Sequence, residues 1–343
     1  FSELLRKKSA GWEMFVRAGV FNGGKLLHSV QDTPTQMCDD ASNPQWCVWL
    51  QTELPVCHTP RAARICFTLY ARQQGKNVTG ETPLAWVSQQ LFNHKDQLVT
   101  GCHSLRMWAN GCEANPIGCN MENLSVYGSE PPVLFVEYDS YVLPVVMPSQ
   151  GVDHISKRLK MGPQPNEDEL IRIKRVVEQD PLATIPEAEK KLIWRYKHFI
   201  LTSRNALPKF LQCVPWEDYR QVEEMHTALA AWSPLTPTAA LELLDAKFAD
   251  MHIRNYAVSR LGEMSDPELA DYVLQLVQVL KYESRHDSAL ARFLLRRALS
   301  CPHQVAHQFF WCLKAEMHLP EVSERFGLLI EEYLRCCGPH RAQ

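Results

Sequence analysis

The chain has 343 residues, 45% hydrophobic and 22% charged, a composition that supports a globular core and a length that fits about two domains. Its formal net charge is −3, with 11 Lys/Arg against 13 Asp/Glu in residues 1–150 and 25 against 26 in residues 151–343. Neither half has the basic excess that a phosphate backbone demands, so nucleic acid is excluded as the expected partner.

The opening FSELLRKKSA lacks the apolar core of a signal peptide, and no apolar run approaches the ~20 residues of a membrane span. Up to about residue 147 the pattern is β. EMFVRAGVF (13–21), QWCVWLQTEL (45–54), ARICFTLYAR (63–72) and PPVLFVEYDSY (131–141) are rich in β-branched and aromatic residues, and Ile65, Phe67 and Leu69 share one strand face. Gly23-Gly24, Ser42-Asn43-Pro44 and Gly111 supply turns. Short strands separated in this way predict an antiparallel β-sandwich over 1–147. Residues 148–166, PSQGVDHISKRLKMGPQPN, read as a polar linker, and 167–343 as an all-α domain.

In the second half the hydrophobic period is helical. Thr184-x-x-Glu187 and Ser265-x-x-Glu268 have the form of capping boxes, the second with Pro267 in the first turn. Leu269, Tyr272, Val273, Leu276, Val277 and Leu280 then form a broad apolar face. Asp287 is placed to cap a helix carrying Leu290, Phe293 and Leu294. MHIRNYAVSRL (251–261) and SALARFLLRRA (288–298) superpose at an offset of 37, matching Ile253 to Leu290, Tyr256 to Phe293 and Arg260 to Arg297. Helix pairs at such a period predict a solenoid of the armadillo or HEAT type.

Chemistry-bearing motifs are scarce. Gly-x-Gly-x-x-Gly, the Walker A pattern and the protein-kinase loops do not occur in the sequence. The twelve cysteines contain no C-x-x-C and fall largely inside apolar runs, which predicts reduced core thiols in a cytosolic chain. Asn77 and Asn123 stand in glycosylation patterns that such a compartment would not use. His303 and His307 are spaced like zinc ligands but have no evident third partner. Asp39-Asp40 lacks the second acidic loop of a calcium site, which wants about six to eight oxygens. Arg72 and Lys76 flank a loop that could meet an anionic membrane. Trp194, Trp216, Trp232 and Trp311 read as core, Met317 and His318 as helix-end packing, and Arg292, Arg296 and Arg297 as a solvated face.

Longer stretches carry a family resemblance. LQLVQVLKYES (274–284), ALARFLLRRAL (289–299), HQFFWCLKAEMH (307–318), SERFGLLIEEYLRCCG (323–338) and DPLATIPEAEKKLIW (180–194) resemble the helical domain of class I phosphoinositide 3-kinase catalytic subunits. VRAGVFNGG (16–24), NPQWCVWL (43–50), LPVCHTPRAARICFTLY (54–70), TPLAWVSQQLFN (82–93) and ANPIG (114–118) resemble that family's C2 domain. The pattern is most similar to class IA, nearest the alpha type. The resemblance implies a non-catalytic C2–helical scaffold holding a regulatory subunit and supporting a kinase domain in cis. That kinase would use ATP and magnesium on the inositol 3-hydroxyl, in a complex recruited from the cytoplasm to the inner face of the plasma membrane. The fragment itself would hold no cofactor.

The resemblance also implies site residues. Glu187 matches an acidic residue that mimics phosphate in the regulatory subunit's Src-homology 2 pocket. Thr184 stands where a second acid is expected, and Ala188 and Lys190 flank the contact. Thr82, Glu113 and Asn115 fall in the region that meets the regulatory coiled coil, although Cys47-Val48 replaces the usual Asn-Glu and the segment near Glu113 is shortened. The alternative is a free-standing helical-repeat adaptor with a β-sandwich interaction domain and no kinase.

Overall fold

The structure is a computed structural model that describes residues 12–38, 44–73, 80–109, 122–124, 130–147, 162–181 and 183–338. Its first half is antiparallel β. The strands are β1 (Trp12–Asn22), β2 (Lys25–Leu26), β3 (Gln31–Asp32), β4 (Gln36–Cys38), β5 (Arg64–Gln73), β6 (Glu81–Gln90), β7 (Gly101–Arg106), β8 (Trp108–Ala109) and β9 (Val133–Tyr138). One sheet runs β2-β1-β5-β6-β8, with β3 and β4 also on β1, and the second is the pair β7-β9. Alternation sets the faces. Met14, Val16 and Ala18 of β1, Phe67 and Leu69 of β5, and Ala85 and Val87 of β6 form one core with Leu105 and Met107, onto which Leu134, Val136 and Tyr138 pack. The Tyr138 hydroxyl donates to Gln89 Oε1 at 2.7 Å and ties the two sheets. The opposite face of the large sheet stacks Phe15 on Tyr70, centroids 5.4 Å apart, with the Arg17 guanidinium 4.8 Å from the Tyr70 ring. Arg17 is itself held by a bidentate bond to Asp32.

The second half is all-α, with twelve α-helices among the described residues. They are α1 (Glu167–Glu178), α2 (Glu187–Arg195), α3 (Lys197–Ile200), α4 (Leu207–Gln212), α5 (Tyr219–Ala231), α6 (Pro237–Ala240), α7 (Met251–Leu261), α8 (Asp266–Ala270), α9 (Val273–Val279), α10 (Ala289–Ser300), α11 (His307–Glu316) and α12 (Pro320–Cys336). α6 packs on α7, α7 on α10, α10 on α12, α9 on α11 and α11 on α12, which is the stacking of a helical-repeat solenoid. Phe210 sits fully buried between Trp194, parallel at 5.4 Å, and Trp232 at 4.9 Å.

The superposable segments 251–261 and 288–298 do equivalent jobs. Ile253 and Leu290 are both buried. Arg260 Nε donates to the carbonyl of Leu235 at 3.3 Å, and Arg297 Nη2 to the carbonyl of Met264 at 2.9 Å. Each acceptor directly precedes the N-cap of a neighbouring helix, Thr236 for α6 and Ser265 for α8. The two arginines thus brace the entry of the preceding helix pair in the same way.

Several expectations need correction. Residues 45–54 form no strand: Cys47 has φ of 44°, a left-handed backbone that interrupts an extended run, and Val48 and Trp49 are exposed. Ser265 and Glu268 do form a capping box, the Ser265 N–H donating to Glu268 Oε2 at 2.9 Å. The apolar face that follows is real, but it is divided between α8, α9 and the 3₁₀ turn Leu280–Tyr282. Asp287 does not cap α10. Ser288 does, accepting from Ala291 N–H at 3.2 Å, while both Asp287 oxygens bind Arg292 at 2.5 Å. Of the nine cysteines whose side chains the structure describes, Cys66 and Cys213 are buried, while Cys47, Cys57, Cys102 and Cys336 face solvent. Trp311 is 57% exposed, since it lies on the helix side opposite the buried Phe309 and Leu313. Arg297 leaves the expected solvated face and pairs with Asp266.

A buried polar cluster sets an acid limit on stability. Asp250 caps α7, accepting from His252 N–H at 2.9 Å and Ile253 N–H at 3.1 Å, while its other oxygen takes His226 Nε2 at 3.2 Å. Burial pushes His252 below its ordinary value of 6.5, and does the same for His198 and His286. For a histidine whose folded value is depressed, the folded state binds protons less readily than the unfolded chain. The penalty is absent above 6.5 and grows as pH falls below it, until the folded histidine also protonates. Melting temperature will therefore fall between pH 7 and pH 5, and His252→Gln will flatten that profile. A pH-independent melting temperature over this range would show that the three imidazoles do not report on folding.

Candidate docking surface and domain seam

Residues 183–186 lead into α2, anchored by the buried Ile185. The helix begins at Glu187 with Pro186 as its N-cap, at φ −61° and ψ 149° and with no side-chain cap bond. The expected Thr184-x-x-Glu187 capping box is therefore absent: Thr184 lies two residues too early, and an extended proline sets the entry angle instead. Glu187 and Glu189 both stand in the first turn, where carboxylates favour the helix dipole. Their surroundings differ. Glu189 Oε1 is bound by Arg172 of α1, at 3.1 Å from Nε and 2.8 Å from Nη2. The Glu187 side chain is 74% exposed, and its contact is Lys190 Nζ at 2.5 Å, one turn along the same helix. That bond, joined by the charges of Lys25 and Lys191, holds the Glu187 carboxyl below the usual carboxylate range. Thr184 and Ala188 are exposed beside it and Lys190 is half-buried. The structure brings all four together on one surface, with Glu187 as its outward-facing acid.

The C2-side residues are not gathered in this way. Thr82 is exposed on β6, opposite Ala71 of β5. Arg72 lies in β5, not in a loop, with Nη2 on Glu81 Oε1 at 2.6 Å. Lys76, Glu113, Asn115, the Asp39-Asp40 pair, Asn77 and Gly111 lie outside the described residues. His303, in the π-helical turn Pro302–Ala306, and His307, the first residue of α11, are both exposed. Among the described residues no group of three or more His, Cys, Asp or Glu could hold a metal ion, and no helix is long and apolar enough to cross a membrane.

Sequence reasoning missed the seam between the two halves. Val20, Leu27 and Ala63 belong to the same buried cluster as Phe248, Leu244 and Leu280. At one end of the seam, Gly23 turns at φ +58°, and a Cβ there would stand 2.4 Å from the carbonyl oxygen of Lys247. The Lys25 ammonium bonds Glu217 Oε2 at 3.1 Å, and the His58 ring meets the Tyr219 ring edge-on at 5.3 Å. At the other end, Gln90 Nε2 donates to the Ser284 carbonyl at 2.6 Å. Arg285 Nη2 donates to the Asn93 carbonyl and Asp96 Oδ1, both at 3.0 Å, and Arg61 Nε takes the same Asp96 oxygen at 2.6 Å. Asp96 sits at φ 61°, in a turn where Asn93 Oδ1 accepts from Lys95 N–H at 2.8 Å. The one sequence signal for the seam was Gly23-Gly24, read simply as a turn.

The model of the accessory (PIK) domain of the phosphoinositide 3-kinase family matches residues 161–343, and that of the phosphoinositide 3-kinase C2 domain matches 12–132. The chain belongs to the phosphoinositide 3-kinase family. Its antiparallel first half is the family's C2 domain and its solenoid the PIK domain. Among relatives, phosphatidylinositol 3-kinase 2 of Dictyostelium discoideum is 36% identical over 96% of this chain and 20% of its own length. Phosphatidylinositol 3-kinase 3 of the same organism is 36% identical over 97% of this chain and 19% of its own. The human phosphatidylinositol 4-phosphate 3-kinase C2 domain-containing subunit beta is 31% identical over 81% of this chain and 17% of its own. The chain spans about a fifth of the length of the curated relatives it matches.

Proposed function

We propose that these 343 residues are the C2–helical scaffold of a phosphatidylinositol 3-kinase catalytic subunit of class IA type, and that the start of α2 docks a regulatory subunit. The observation that carries this reading is the Glu187 carboxylate. It is ionised and largely exposed at a helix start, yet the helix is not capped by it. A carboxylate so presented can enter a pocket built for phosphate, where guanidinium groups offer paired donors. Exchange of Lys190 for a partner's arginine costs little, because an exposed i,i+3 pair is worth only about 0.3–0.5 kcal/mol. In this reading the C2 domain, with Thr82 exposed on β6, meets the regulatory coiled coil. ATP and magnesium act on a kinase domain in cis, and the complex works in the cytoplasm at the inner face of the plasma membrane.

The test is calorimetric titration of the chain with the regulatory subunit's Src-homology 2 plus coiled-coil segment. Binding that a doubly phosphorylated receptor peptide weakens, and that Glu187→Lys weakens with little change in melting temperature, is the expected result. Binding indifferent to both peptide and Glu187→Lys overturns the α2 role and leaves contact through the C2 domain alone.

A further inference from the structure

Residues 245–250 do two jobs at once. Their first part receives the β1–β2 hairpin of the C2 domain: a Cβ on Gly23 would stand 2.4 Å from the carbonyl oxygen of Lys247, and Phe248 is buried in the cluster that also holds Val20 and Leu27. Their last residue, Asp250, starts α7. One of its oxygens accepts from the N–H groups of His252 and Ile253, and the other lies 3.2 Å from His226 Nε2 of α5. A carboxylate can only accept, so Nε2 carries the proton and His226 Nδ1 is bare. Nδ1 is buried, with no hydrogen-bond partner among the described residues. The His252 ring lies 4.3 Å from the His226 ring, centroid to centroid, in the first turn of α7, where the helix dipole disfavours a cation.

Two imidazoles thus share one carboxylate, and that carboxylate also holds a helix start. Charges on the surrounding elements are engaged elsewhere or face solvent. Glu242 is held by Lys247, Glu224 of α5 by Lys197, Arg254 by Glu283, and Arg292 and Arg297 of α10 by Asp287 and Asp266. Arg260 pairs with Glu263, Asp245 accepts from Lys247 N–H, and Glu223 and Arg296 are exposed. Asp250 therefore balances one imidazolium, and a second leaves a net positive charge in a largely buried site. We propose that His226, Asp250 and His252 form a proton-sensitive latch on the seam between the C2 and helical domains. It opens when both imidazoles are charged, and residues 245–250 then release the β1–β2 hairpin. Burial would raise the Asp250 carboxyl, but the His226 bond, the two imidazoles and the Ile253 N–H hold it below its ordinary 3.8, so it stays ionised where histidines titrate. Burial also holds His252 below 6.5. The closed latch then binds that proton less readily than the open one, so it is shut above pH 6.5 and opens progressively below it. The latch is independent of the α2 docking reading.

Hydrogen exchange of the full chain at about pH 6.5 and pH 5.5, corrected for the intrinsic pH dependence of amide exchange, tests this. One proton taken up on opening raises the opening constant by up to about tenfold per pH unit. Residues 22–27 and 245–250 should lose protection by up to that factor, with α12 changing less. His252→Gln should abolish the difference. His286→Gln removes a half-buried imidazole beside the far end of the seam and should leave the difference in place. Asp250→Asn keeps a capping side chain but removes the balancing charge, and should move the loss of protection toward pH 7. Loss at both segments that merely tracks α12 would mean that acid acts on the whole fold, and overturns the latch. So would a full pH response in folded His252→Gln. If Asp250→Asn does not fold, the comparison of His252→Gln with His286→Gln still decides.

Discussion

Glu283→Ala will lower the equilibrium stability of the chain in urea by about 3–5 kcal/mol, the cost of leaving a buried charge without its counter-ion. Arg254 and Glu283 are each only 6% exposed. Arg254 places Nε and Nη2 at 3.0 and 2.8 Å from one Glu283 oxygen, and Nη1 at 3.0, 3.3 and 3.2 Å from the carbonyls of Leu244, Asp245 and Phe248. The Glu283 backbone carbonyl accepts from Arg325 at 2.7 Å, and Arg325 also binds the carbonyls of Leu280 and Arg285. One ion pair thus joins the loop after the 3₁₀ turn 241–244 to the loop after the 3₁₀ turn 280–282. Those same two loops, through Lys247 and through Ser284 and Arg285, carry the C2 domain. Loss of the carboxylate leaves the Arg254 guanidinium buried with carbonyl partners alone. Arg254→Met combined with Glu283→Leu removes both charges and should recover part of the loss. A single-variant loss under about 1 kcal/mol would mean that water or backbone relaxation replaces the carboxylate.

Gly23→Ala will open the seam. The left-handed backbone alone costs an alanine about 1–2 kcal/mol, and here the new Cβ would meet backbone atoms, Lys247 O at 2.4 Å and Ala246 O at 3.1 Å. No side-chain rotamer relieves that overlap, so the hairpin must lift from residues 245–248. The expected result is a stability loss of at least about 2 kcal/mol, with faster amide exchange in the 245–248 loop and in the Asn93–Asp96 turn. A loss of about 1 kcal/mol with both segments still protected would show that the hairpin shifts locally without releasing the seam.

The sequence carried the local rules of this fold well. The β pattern of the first half, the helical period of the second and the Ser265–Glu268 box are each governed by residues close in sequence, and all are found, as is the likeness of 251–261 to 288–298. Where a local rule had competitors, context decided. Thr184-x-x-Glu187 satisfies the capping pattern, but Pro186 already supplies the extended backbone that ends the preceding segment, so the box has no helix start to serve. Asp287 and Ser288 both suit a cap, and Arg292 withdraws the aspartate. Trp46 and Leu50 pack against the sandwich as a strand's would, yet Cys47 turns the chain between them. At the start of α2, Arg172 takes Glu189 and leaves Glu187 to its own-helix partner Lys190, and a contact between helices is something that spacing alone does not announce. The partners Lys25 and Glu217 are separated by 192 positions, and no periodic signal links residues so far apart.

Ile65 is half-buried against both apolar clusters, the interior of the sandwich and the core continuous with the solenoid. Val20 and Leu27 reach across to the second of these. The C2 domain here is consequently not a cassette. Grafted elsewhere, or exchanged for a homologue's, it would bring an uncovered greasy end that only a matching 244–248 loop can receive. Substitutions on the two sides of the seam must then accumulate in step, and the heritable unit is the joined pair of domains.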